Sequence, residues 1–182
     1  MINLKILIPL ANGFEEIEAI TCIDILRRAE IKVITASISN SFVTGSHDII
    51  IKTDTHINNI KTSEINGIIL PGGMPGAINL SNNHKIIEIL KVLVKEGKLI
   101  AAICAAPIVL EKAGVLSKIK ATSYPGFEKE MLSCKYKEDR IVLDNNIITA
   151  RGPGVTLDFA MEIVNYLKGK EMVQQLKKIM LI

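Results

Sequence analysis

Apolar positions recur along the chain at two alternating periods. Short runs rich in Ile and Val, from Leu4 to Leu10, Lys32 to Ile38, Ile65 to Leu70 and Leu99 to Ile103, read as strands buried in a sheet. Between them Ala19, Cys22, Ile23 and Leu26 fall at i, i+3, i+4 and i+7, which predicts a helix from about Glu15 to Ala29 with that stripe inside. Ile86, Leu90, Leu93 and Val94 give a later helix its apolar face, and Gly97 ends it. Thr44 to Thr53 reads as a hairpin or edge element. Ile141-Val142-Leu143 and Ile147-Ile148-Thr149 flank Asp144-Asn145-Asn146, a hairpin signal. A helix from about Val155 to Leu167 and a short helical tail close the pattern. Strands alternating with amphipathic helices predict an α/β fold, a mostly parallel central sheet covered on both faces.

Composition narrows the partners. The 182 residues read as one domain spanning residues 1–182. The net charge of +3 is spread without a basic block, so nucleic acid is not indicated as a partner. No apolar run approaches the ~18 residues of a membrane span, so no membrane partner is expected. Met1 to Lys5 lead straight into a strand without the zones of a signal peptide, and the expectation is a cytoplasmic protein. Cys22, Cys104 and Cys134 are an odd set without metal-ligand spacing, which points to reduced thiols, no zinc and no disulfide framework. Cys22 falls in the helical stripe and belongs to the core, and no activating group stands beside Cys134. His56 and His84 sit in polar segments and read as surface residues.

The chemistry gathers at three strand ends. Leu99 to Ile103 stops at Cys104, followed by Ala105, Ala106 and Pro107, a strand-turn-helix elbow in which Pro107 suits the first helical turn. A thiol at a helix N-terminus is expected to have a lowered pKa, although most free cysteines are simply packed and inert. The first strand runs through Asn12-Gly13 into Glu15, Glu16 and Glu18, and the third ends at Pro71-Gly72-Gly73. In open α/β sheets that edge is where sites form. Glycine loops there are either tight turns or sources of free N–H groups, and those of Gly73 and Ala105 would form an oxyanion site. Glu15 and Glu16 fit exposed first-turn glutamates favoured by the helix dipole. Glu18, one turn further in, fits that reading less well and falls at the same edge of the sheet as Cys104.

Five stretches carry a resemblance: Gly13 to Glu18, Asp24 to Ala29, Leu70 to Gly73, Ala101 to Ala105 and Ala150 to Gly154. In this order and spacing the chain resembles the DJ-1/ThiJ/PfpI family, and within it the DJ-1/ThiJ branch. The resemblance implies a flavodoxin-like three-layer sandwich, usually a homodimer, with Cys104 as the reactive cysteine and Glu18 as the carboxyl that touches it. It also implies no cofactor and no bound metal. Two anions in contact cannot both ionise cheaply, so a thiolate at Cys104 requires a proton on Glu18. PfpI-type members, linked with peptidase activity, carry a histidine directly after the cysteine. Here that residue is Ala105, which removes a Cys-His dyad from adjacent residues. The DJ-1 branch commonly has a histidine where this chain has Tyr124, whose phenol donates a hydrogen bond or relays a proton but is a poorer base near neutral pH. His47 falls where the branch often has an arginine reaching the partner's pocket, which a protonated imidazole would partly replace, although an exposed hairpin histidine is the more usual case. Glu15, Glu16, Arg27, Arg28 and His47 lie where family members pair subunits.

The resemblance implies an enzyme of the glyoxalase III or deglycase type acting on reactive α-oxoaldehydes such as methylglyoxal, or on their protein adducts. Cys104 is then the nucleophile, Glu18 and Tyr124 move protons, and Gly73 and Ala105 hold the oxyanion. The alternative from another class is a redox sensor or redox-dependent chaperone working through oxidation of Cys104.

Overall fold

The computed structural model describes residues 4–182. A central sheet is built from β1 (Lys5–Leu10), β2 (Lys32–Ser37), β5 (Thr55–His56), β6 (Gly67–Leu70), β7 (Leu99–Ile103), β10 (Ile141–Asp144) and β11 (Ile147–Ala150). Their order is β10-β11-β7-β6-β1-β2-β5, with every neighbour parallel except β10 against β11. Two short pairs lie outside it, the antiparallel hairpin of β3 (Phe42–Thr44) and β4 (Ile50–Lys52), and β8 (Lys120–Ala121) beside β9 (Lys135–Tyr136). The helices are α1 (Glu16–Arg28), α2 (Gly76–Ser81), α3 (His84–Lys95), α4 (Pro107–Lys112), α5 (Thr156–Lys168) and α6 (Lys170–Met180).

The period-two alternation of each strand separates two cores. Ile6, Ile8, Leu10, Ile69 and Ile103 face α1 and α5, whereas Leu7, Ile68, Leu70, Ile100 and Ala102 face α2, α3 and α4. The sheet is therefore the middle of three layers, the α/β architecture that the sequence pattern predicts. The stripe Ala19, Cys22, Ile23 and Leu26 is buried on α1, and Ile86, Leu90 and Leu93 are buried on α3. The Asp144-Asn145-Asn146 turn joins β10 to β11 as expected. Among the described residues no helix is long and apolar enough to cross a membrane.

Chain order explains where a site forms. From β1 the chain moves outward to β2 and β5, then returns to β6 on the other side of β1 and proceeds through β7 to β11. The loops after β1 and β6 diverge to opposite faces at that switch, and a crevice opens outside their carboxyl ends. Glu18, Pro71-Gly72-Gly73 and Cys104 follow the three adjacent strands β1, β6 and β7.

Candidate active site

Cys104 occupies the turn between β7 and α4 with φ of +62°, a left-handed conformation that an L-residue adopts only where its surroundings enforce it. Those surroundings are backbone bonds on both sides. The Cys104 N–H donates to the Ala150 carbonyl at 2.9 Å, and its own carbonyl accepts from the Tyr124 N–H at 2.8 Å. The elbow turns the half-buried thiol away from the strand, toward the loop after β6.

Glu18 reaches the same place from the first turns of α1. It has no exposed surface, and its Oε2 accepts a 2.7 Å hydrogen bond from the Gly72 N–H. Its Oε1 is buried with no hydrogen-bond partner, and the Cys104 thiol lies against the carboxyl. Gly72 is glycine for a steric reason. A Cβ there would come within 2.7 Å of the Cys104 Cβ, 2.8 Å of Glu18 Oε2 and 2.9 Å of the Ile103 carbonyl. The sequence marks the Pro-Gly-Gly turn but not which glycine binds the carboxylate.

Electrostatics make the two groups share one charge. Burial pushes the Glu18 carboxyl up to about 7, with a further push from Glu15, while the Gly72 N–H and the Cys104 thiol pull it down. Burial, and then the Glu18 charge, push the Cys104 thiol up to about 12, against the N–H groups of Ala105 and Gly73 that face the sulfur. This reverses the lowered thiol pKa expected of an elbow at a helix N-terminus. The physical reason is that α4 is only 6 residues long and begins beyond Ala106, so its dipole is weaker than desolvation beside a carboxylate. With Glu18 ionised the sulfur holds its proton. With Glu18 protonated its charge no longer opposes ionisation of the sulfur, and the two N–H groups favour thiolate.

The other two cysteines differ. Cys22 is fully buried and its thiol is pushed up by burial. Cys134 donates to the Met131 carbonyl at 3.2 Å, and burial raises its pKa.

The remaining candidate residues divide by position. Gly73 and Ala105 direct their N–H groups at the sulfur. Tyr124 is tied to the elbow by its backbone, and its exposed ring lies along Gly152, where a Cβ would come within 3.1 Å of the ring. Glu15 is half-buried beside the crevice, its N–H donating to the Gly72 carbonyl at 2.9 Å. Arg27 and Arg28 lie at the far end of α1, where they pair with Asp54 at 3.7 Å and Asp24 at 2.7 Å. They share the helix with Glu18 but not its surroundings.

Glu16 corrects a second expectation. It is only 5% exposed, not a solvated first-turn glutamate. The loop between β3 and β4 folds over it, so that Oε1 accepts from the His47 N–H at 2.7 Å and Oε2 meets His47 Nδ1 at 2.9 Å and Ser46 Oγ at 3.2 Å. A Cβ on Gly45 would overlap the Glu16 carboxyl. His47 itself is exposed, as expected of a hairpin histidine, yet it is also paired. His84 is exposed at the start of α3, whereas His56 is half-buried and caps the following turn by accepting from the Asn58 N–H at 3.2 Å.

The sequence matches the DJ-1/PfpI family over residues 4–166. It is 40% identical over 179 residues to protein dj-1beta of Drosophila melanogaster, covering 97% of this chain and 96% of that protein. Protein DJ-1 homolog B of Arabidopsis thaliana is 37% identical over 180 residues, 98% of this chain, which spans only 41% of that protein's length. A protein of Pyrococcus abyssi named a deglycase is 33% identical over 168 residues, 91% of this chain and 100% of that one. Among solved structures, Drosophila melanogaster DJ-1beta superimposes with a TM-score of 0.95 at 38% identity, covering 100% and 99% of the two chains. Toxoplasma gondii DJ-1, oxidized, gives 0.93 at 36% identity and 98% of each chain.

Proposed function

The chain belongs to the DJ-1/PfpI family, and from that premise we propose that it converts reactive α-oxoaldehydes such as methylglyoxal to hydroxy acids, or removes their adducts, through Cys104 and Glu18. The observation that carries this reading is the buried Glu18 carboxyl, raised to about 7 and in contact with a thiol that two backbone N–H groups face. Such a carboxyl takes up and gives back a proton near neutral pH, as the conversion requires. Proton transfer from sulfur to Glu18 gives thiolate beside carboxylic acid. The thiolate adds to the aldehyde carbon, and the new oxyanion, held by the Gly73 and Ala105 N–H groups, takes the proton from Glu18. The Glu18 carboxylate then removes the C1 hydrogen of the hemithioacetal to give an enediolate, the proton is returned at C2, and the C1 hydroxyl proton passes to the C2 oxygen, which leaves the thioester of lactate. Water hydrolyses it to lactate and frees the thiol. In this reading Tyr124 hydrogen-bonds the second substrate oxygen. The test is lactate formation from methylglyoxal: the wild type should form it, and Cys104→Ser should reduce it to the uncatalysed rate. An active serine variant would overturn the reading.

A second reading uses the same pair as an oxidation sensor. A protonated carboxyl beside sulfur stabilises a sulfinate through a short charge-assisted hydrogen bond, and the thiol is half-exposed to oxidant. Mild peroxide should add two oxygens at Cys104 before Cys22 or Cys134, and Glu18→Asp should change the product or its rate. Both readings take the protein as a homodimer. Ile17 and Ile20 on α1 and Ile49 and Ile50 on the neighbouring hairpin are exposed apolar side chains that a second copy would cover. Light scattering at micromolar concentration should report twice the monomer mass, and a monomer would remove this part of the proposal.

A further inference from the structure

Between the hairpin and the catalytic pair lies a second charged cluster. His47 Nδ1 sits 2.9 Å from Glu16 Oε2 and 3.6 Å from Glu15 Oε1, and Ser46 Oγ bridges the two carboxylates at 3.1 and 3.2 Å. Glu15 also belongs to the site. Its N–H donates to the Gly72 carbonyl while the Gly72 N–H donates to Glu18, so one peptide loop carries both glutamates. The Glu15 charge raises the proton affinity of Glu18.

We propose that His47 is a positioning residue for the Cys104–Glu18 pair: when protonated it screens the Glu15 carboxylate from Glu18, and when neutral it leaves that charge to oppose ionisation of the pair. The inference rests on the reading of Cys104 and Glu18 as the reactive pair. The charged groups around His47 are Glu15 and Glu16 at the start of α1 and Asp48 in its own loop, all acidic. Their combined effect, led by the Glu16 hydrogen bond, raises the His47 pKa and favours the imidazolium. Glu18 is faced by Cys104 from the elbow, by Glu15 from its own helix and by Cys22 beneath it. Of these, only Glu15 is in direct reach of His47.

The sign follows from Coulomb's law. Losing the cation leaves more negative potential at Glu18, so removing a proton from the pair becomes harder and the rise of thiol reactivity moves to higher pH. The coupling crosses a partly solvated loop and is worth a few tenths of a pH unit. The experiment is the rate of Cys104 alkylation by iodoacetamide between pH 5 and 9, read by peptide mass. His47→Gln should move the midpoint upward by a few tenths of a unit. His47→Lys, which restores a cation, should return it to the wild-type value, and Glu15→Gln should move it downward. In 1 M salt, where the screening length is about 3 Å, the difference between His47→Gln and wild type should vanish. A His47→Gln profile that superimposes on wild type, moves downward, or is not rescued by His47→Lys overturns the coupling. Absence of lactate formation from methylglyoxal with these shifts intact overturns the proposed reaction and leaves the coupling standing.

Discussion

Glu16 and Glu18 stand two residues apart on one helix, both hidden from solvent, and they are opposite acids. Glu16 is held down to about 2 because the hydrogen bonds from His47 and Ile49 outweigh the cost of its burial. Glu18 is pushed up to about 7 because burial outweighs the pull of the Gly72 N–H and the Cys104 thiol, the two donors that face it. Helix position and residue type are nearly shared, so neither decides the difference. The number of donors turned toward each carboxylate does. A carboxylate with its full complement of donors is a structural anchor, whereas one left short of donors beside a thiol becomes a proton carrier.

The largest effect expected from this contrast is on turnover. Glu18→Gln should lower lactate formation from methylglyoxal by at least about 100-fold, the usual scale of a lost proton-transfer group, while Glu16→Gln should cost no more than a few-fold. Equal losses from the two variants would break the comparison.

Next comes pH, where the two glutamates should pull in opposite directions. The folded-state pKa of Glu18 lies above its unfolded value of 4.5, so the folded state binds the extra proton between 4.5 and about 7. Its contribution to stability is present below 4.5 and is lost as pH rises through about 7, by at most on the order of 3 kcal/mol. Glu16 is depressed to about 2, so its contribution is present above 4.5 and is lost as pH falls toward 2. Urea denaturation from pH 4 to 8 should therefore show Glu18→Gln gaining on the wild type as pH rises. A constant difference across that range would mean that Glu18 titrates normally.

Much of this is legible in the sequence, and the parts that are not share a cause. The buried strands, the α1 stripe and the Cys104 elbow announce themselves because local periodicity and turn chemistry specify them. The contact of Glu18 with Cys104 rests instead on a resemblance, since the two are joined only by sheet order. Glu16 looks like a solvated first-turn residue because the donors that bury it come from His47 and Ile49, some 30 residues away in a short hairpin. The direction of the Cys104 shift is likewise set by Glu18 and by depth, neither of which an elbow motif encodes. β5, β8 and β9 escape the pattern because each is 2 residues long, and α2, at 6 residues, is too short for a helical period to repeat.

Removing the Glu16 anchor should have the next largest effect. Glu16→Ala leaves the His47 and Ile49 N–H groups without their acceptor and opens the loop over α1. We expect a loss of about 2 kcal/mol, which for a chain of this length lowers the melting temperature by roughly 4–8 °C. The variant should remain folded and retain Cys104 alkylation, because neither Gly72 nor the elbow depends on Glu16. Complete loss of alkylation in a folded Glu16→Ala protein would make the anchor part of the reactive pair and end the distinction between the two glutamates.

Tyr124 marks the smallest expected effect and tests whether Glu18 works alone. The Tyr124 backbone N–H fixes the elbow through the Cys104 carbonyl at 2.8 Å, and any residue except proline at this position supplies that bond. The ring lies along Gly152 and the residue is 47% exposed, so its hydroxyl is open to water. Glu18, by contrast, already has an ionisation near neutral pH and touches the sulfur. Tyr124→Phe should therefore lower kcat/KM for methylglyoxal by about 3-fold or less, a single solvent-competed hydrogen bond, with most of the change in KM. A 100-fold fall in kcat would instead place the phenol on the proton path, and the site would hold two proton carriers, Glu18 and Tyr124, in place of one.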